Sequence, residues 1–100
     1  MWYILEGQYG TDIASKREAA RPAHLKRLQD LQDAGRLLMA GPVPAIDSEE
    51  PGPAGFLGSL IVASFASKAD AQAWLDIDPY MLEGVYAATM IRPFKKVIPF

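Results

Sequence analysis

An α+β fold with the element order β-α-β-β-α-β is predicted by three features of this 100-residue chain. Four short apolar runs, centred near Ile4, Leu38, Ile61 and Ala88, are rich in β-branched, aromatic and bulky residues, and such runs favour strands. Two segments built from Ala, Leu, Lys, Arg, Glu and Gln, at about 15–34 and 68–77, separate the first run from the second and the third from the fourth. These residues are good helix formers. The length is near the common domain size of roughly 100–150 residues, which suits a single domain over the whole chain. Two right-handed βαβ crossovers then give a ferredoxin-like arrangement, a four-stranded antiparallel sheet with both helices on one face.

The elements follow in order. Residues 1–7 read as a strand whose nearly continuous apolar run, Trp2 to Leu5, suggests a central position buried on both faces. GQYGTD is turn chemistry. In the first helical segment, Ser15 stands three residues before Glu18 in capping-box spacing. Pro22 lies inside it, where the lost hydrogen bond and ring clash cost about 3 kcal/mol. At the first helical position proline costs little. The expectation is therefore a break near Arg21 and a main helix over 22–34, with Gly35 in the left-handed region after it. Residues 36–45 form the second strand, and Gly41-Pro42-Val43-Pro44 places its end at an edge or a bulge. Residues 46–58 are a long loop.

The third strand is expected over 59–66. Ser67 then caps a helix over 68–77, with Asp70 three residues on. Asp78-Pro79 ends that helix, because the residue before proline avoids the helical region, and 80–84 make a further short turn. The fourth strand covers 85–94. Strict alternation puts Val85, Ala87, Thr89 and Ile91 on one face, and Tyr86, Ala88, Met90, Arg92 and Phe94 on the other. Both faces are mostly apolar. The helices cover one, and a second copy of the chain is the simplest cover for the other, so a homodimer is expected.

Composition removes several functions. There is no cysteine and one histidine, which excludes disulfides, thiolate metal sites, a cysteine nucleophile and a histidine-cluster metal site within one chain. With 10 Lys+Arg against 12 Asp+Glu, the net charge of −2 lacks the basic excess of a nucleic-acid binder. Half the residues are hydrophobic and 22% charged, which argues against disorder. No apolar stretch approaches the roughly 18 residues of a membrane span. The first residues carry Glu6 and no basic leader pattern, so a cytoplasmic protein without a membrane partner is expected. Neither GxGxxG nor a phosphate loop is present, and neither cofactor nor metal is called for.

The lone histidine, His24, shares a helix face with Leu28, Leu31 and Gly35. It therefore points to the packed side, where an imidazole serves as general acid or base or as a hydrogen-bonded core residue. Asp78 follows a helix end, where a carboxylate meets the negative end of the macrodipole. Such a position fits an aspartate that orients a histidine, or an ordinary turn aspartate. Tyr80 offers a phenolic donor or simple packing. Gly41-Pro42 offers backbone exposure to a ligand or a turn. Ser59 and Arg92 are polar wall residues by type alone. The basic residues of KREAARPAHLKR fall around a helix and read as a solvated face, with anion binding the lesser alternative.

The runs RPAHLKRLQDLQDAGRLLMAGPVPAID, GPAGFLGSLIVASFAS, AQAWLDIDPYMLEGVY and IRPFKKV closely resemble the YciI-like (YCII-related) family, from Tyr3 to Val97. The resemblance implies a ferredoxin-like fold paired sheet to sheet as a dimeric α+β barrel. It also implies a candidate active site built on a His-Asp pair, which by position is His24 and Asp78. Asp33 is the poorer partner, since nine residues along one helix is about 13.5 Å of rise. Related members include a dehydrochlorinase of a chlorinated hydroxyhydroquinone. On this footing the chain is expected to be a cofactor-independent enzyme for a small aromatic or enolisable molecule, working by elimination, isomerisation or hydrolysis. His24 is its acid or base, Asp78 its tautomer-setting partner, and Gly41, Pro42, Phe56, Ser59 and Tyr80 are pocket walls. The alternatives are a cofactor-free monooxygenase, as in related dimeric barrels, and a non-catalytic small-molecule-binding or assembly module.

Overall fold

The apolar runs and helical segments fold, in a computed structural model describing residues Met1–Phe100, as β1 (Trp2–Tyr9), α1 (Ala14–Asp33), β2 (Leu37–Pro44), β3 (Phe56–Ser64), α2 (Lys68–Asp76), α3 (Pro79–Leu82) and β4 (Tyr86–Phe94). A 3-10 turn at Gly52–Ala54 lies between β2 and β3. The strand order is β2-β3-β1-β4 with every neighbour antiparallel, the ferredoxin-like α+β topology. No helix is long and apolar enough to cross a membrane.

Register divides the sheet into two faces. Tyr3, Leu5 and Gly7 of β1 pair with Ala63, Ile61 and Ser59 of β3, and all six are buried. This face carries the core, joined by Ala20 and Leu31 of α1 and Ala71 and Leu75 of α2. The intervening residues Trp2, Ile4 and Glu6 are only half-buried. The expectation of a first strand covered on both sides therefore holds for one side of this chain. The second face, bearing Trp2, Ile4, Met39, Leu60 and Met90, is crossed by an exposed ion pair between Arg92 and Glu6 at 3.1 Å.

Four local expectations are corrected. First, α1 runs without interruption through Pro22. Pro22 is exposed, so the carbonyl it leaves unpaired is open to water, while burial of Ala20, His24 and Leu31 on the opposite side holds both halves of the helix. Second, α1 begins at Ala14 after Ile13, with no side-chain cap, so the Ser15–Glu18 capping box does not form. Third, β3 begins at Phe56, because pairs Gln8–Gly58 and Pro44–Phe56 extend its ladders into the expected loop. Fourth, β4 carries a bulge. Gln8 pairs with Ala88 but Tyr9 with Tyr86, and the extra residue turns Tyr86 onto the same face as Ile91.

Other signals are met. Gly35, at φ 71°, ends α1 in the left-handed region, with Arg36 N–H donating to Leu31 O and Gly35 N–H to Gln32 O, a Schellman closure. Ser67 caps α2, its hydroxyl accepting from Asp70 N–H at 3.1 Å.

The turned Tyr86 explains Gly7. A Cβ at position 7 would collide with the Tyr86 ring, so only glycine lets the ring lie on the strand. Gly7→Ala is expected to destabilise the fold by about 1–3 kcal/mol through overpacking. In urea titrations the loss should shrink in a Tyr86→Leu background, and additive losses would contradict this packing.

Candidate active site

Asp78 is the anchor of the site. It is fully buried and stands not at the unfavourable end of α2 but as the N-cap of α3, its Oδ2 accepting from Tyr80 N–H at 3.0 Å. This corrects the helix-end reading, because a carboxylate at a helix N-terminus is favoured. Two further donors come from α1. His24 Nδ1 lies 2.7 Å from Oδ2, and Arg27 donates to Oδ1 at 2.9 Å. Arg27 is itself held, donating to Trp74 O at 2.8 Å and stacking over the Trp74 ring at 4.2 Å.

The imidazole is fixed in direction and in plane. An ionised carboxylate only accepts hydrogen bonds, so Nδ1 carries the proton of the His24–Asp78 bond. Tyr80 lies parallel to the imidazole, with ring centroids 3.9 Å apart and planes 8° apart. Nδ1 makes the one hydrogen bond of this ring. No buried side-chain nitrogen or oxygen lacks a partner, so Nε2 keeps an accessible edge. His24, though 4% exposed overall, lines a cavity of about 190 Å³ between α1 and the sheet.

Four of the five expected wall residues line this cavity: Gly41, Pro42, Ser59 and Tyr80. The fifth, Phe56, lies instead on an adjoining outer hollow with Pro22 and Leu25, since the early start of β3 places it at the strand end. Arg92 is on the opposite sheet face, paired with Glu6, and is no part of the site. The expectation of a solvated basic face on α1 holds for Lys16, Arg21 and Lys26, which are exposed, and is corrected for Arg27, which clamps Asp78, and for the half-buried Arg17, bound to Tyr9. Arg17 and Arg21 both line the cavity.

Residues not singled out from sequence stand on the wall, as Tyr9 does, and behind it, as Tyr86 does. Tyr9 shares a 2.8 Å hydrogen bond with Ser59 Oγ and accepts from Arg17 Nε at 3.2 Å. Tyr86 stacks on Tyr9 and meets Tyr80 edge to face. Burial pushes the phenols of Tyr80 and Tyr86 above their ordinary range, Tyr86 strongly so; both are therefore neutral hydrogen-bond donors around neutrality. The signal for Tyr86 in the sequence was Gly7, a glycine inside a strand, which marks a close approach.

This constellation offers an accessible imidazole nitrogen, a carboxylate behind it and hydroxyl donors around it, the parts needed to move a proton. Comparison with known proteins agrees with the architecture. The model of the YCII-related domain matches residues 1–95. The chain belongs to the YCII-related family. It is 55% identical over 97 residues to Protein YciI of Escherichia coli O6:H1, covering 97% of this chain and 99% of that one. A Haemophilus influenzae protein is 47% identical over the same number of residues and shares of both chains. Among solved structures, 5-chloro-2-hydroxyhydroquinone dehydrochlorinase (TftG) of Burkholderia phenoliruptrix AC1100, in complex with 2,5-dihydroxybenzoquinone, superposes with a TM-score of 0.82. That match has 20% identity and covers 95% of this YCII-related chain and 94% of TftG, a likeness of fold.

Proposed function

We propose that this YCII-related protein is a cofactor-independent acid–base enzyme acting on a small, aromatic or enolisable molecule. The observation that carries the reading is the His24–Asp78 contact of 2.7 Å, with the other imidazole nitrogen unbonded on a residue that lines the cavity. His24 Nε2 takes a proton from the substrate. Asp78 holds the reactive tautomer and stabilises the imidazolium that forms. Tyr80 keeps the ring plane aimed, and Ser59, Gly41 and Pro42 bound the substrate. The proton is then returned to product or to a leaving group, which allows isomerisation or elimination by one device. The fold shared with TftG, a dehydrochlorinase, favours elimination from a ring as the first reaction to try.

The apolar second sheet face supports a further part of this reading. We propose that it pairs with a second copy, as a dimeric α+β barrel. In sedimentation the wild type should then run at twice 10.9 kDa, and Ile4→Glu, which puts a charge on that face, should give monomer. A wild-type monomer at all concentrations contradicts the pairing.

The catalytic reading is tested by turnover of a panel of chlorinated hydroquinones. His24→Ala should lower the rate by about 10²–10⁴-fold, the usual contribution of a positioned acid or base. Asp78→Asn should retain the fold less well and lose rate as well. Equal rates for wild type and His24→Ala on a turned-over substrate contradict the role given to His24.

A further inference from the structure

The charge on the cavity wall is one-sided. Arg17, Arg21, His24 and Leu28 follow at helical spacing along one stripe of α1, and all four line the cavity. No lining residue is acidic, and the Asp78 carboxylate is buried behind His24 with its oxygens already occupied. Lys26, Arg27 and Arg92 each have a carboxylate partner, but Arg17 and Arg21 have none within 4.0 Å. Glu18 lies on the outer hollow beside them and forms an ion pair with neither.

Arg17 is also held in place. Its Nε donates to Tyr9 OH, and its guanidinium lies 5.0 Å from the Phe56 ring centroid and 5.4 Å from that of Tyr9. The terminal nitrogens make no hydrogen bond to the protein. Arg21, one turn on, makes none at all and is exposed. Two permanent cations without acidic partners thus stand beside the neutral phenol of Tyr80 on one wall, in a chain whose net charge is −2, and such a wall favours an anion. A dry cavity of about 150 Å³ takes benzene, so the cavity of about 190 Å³ has room for one substituted six-membered ring.

We infer that the site takes a small planar organic anion, a carboxylate or phenolate of one ring, whose charge is met by Arg17 and Arg21 while its body reaches His24. This inference rests on the reading of the cavity as the substrate site. It adds that the substrate arrives charged, and that charge, not shape alone, selects it.

The test compares benzoate with its neutral isostere benzamide by calorimetry, at low and high salt, on wild type, Arg17→Gln, Arg21→Gln and the double variant. Arg21 is exposed and makes no side-chain hydrogen bond or ion pair to lose, so its replacement should not disturb folding. Benzoate should bind wild type about tenfold or more tighter than benzamide, since a charge-assisted contact is worth about that factor. The preference should fall with salt and shrink to within about twofold in the double variant, with benzamide affinity unchanged. Equal affinity for the two probes, a preference unmoved by the substitutions, or no saturable benzoate binding overturns the inference. These readouts need no turnover. Lost charge preference with His24-dependent turnover refutes the anion site alone, and retained preference with His24-independent turnover refutes the acid–base reading alone.

Discussion

A carboxylate sealed from water at Asp78 is the constraint around which this site is built. Taking a charge out of water is costly unless every lone pair finds a donor, and removing one partner of such a group typically costs about 3–5 kcal/mol. Here the donors come from distant parts of the chain. His24 and Arg27 reach Asp78 from α1, more than fifty residues away in sequence, and Tyr80 N–H reaches it from the first turn of α3. Meeting the needs of one aspartate therefore docks α1 onto α3. The same contacts orient the imidazole, so stability and chemistry share one set of hydrogen bonds.

The aromatic groups complete what the carboxylate begins. Tyr80 follows two residues after Asp78, and the turn that gives its N–H to the carboxylate also lays its ring on His24. Tyr9 and Tyr86 fill the space behind. That arrangement needs the bulge in β4 and the missing side chain at Gly7. A sheet residue, a strand irregularity and a helix cap thus converge on the orientation of one ring.

Much of this was legible in the sequence. The strand and helix order follows from apolar runs, helix formers and the Gly35 and Ser67 signals, and each survives in the structure. His24 was legible by its helical stripe. Its pairing with Asp78 is legible only through the family resemblance, since no local pattern links residues 54 apart. The failures are informative. Pro22 obeys its local rule only where no packing opposes it, and burial of Ala20, His24 and Leu31 overrides it. Strict alternation misassigned Tyr86 because a single bulge reverses every inward and outward position beyond it. Arg17 and Arg27 read as solvated charge because composition does not tell which arginine meets a half-buried phenol or a buried acid.

The protonation pattern of the His24 ring measures the His24–Asp78 pairing most directly. Nitrogen-15 NMR of the imidazole, with its long-range proton couplings, distinguishes the two neutral tautomers. Neutral His24 should carry its proton on Nδ1, bound to Asp78, with Nε2 unprotonated, and Asp78→Asn should perturb this preference. A neutral His24 protonated on Nε2 in the wild type, or a tautomer unchanged in Asp78→Asn, would contradict the pairing.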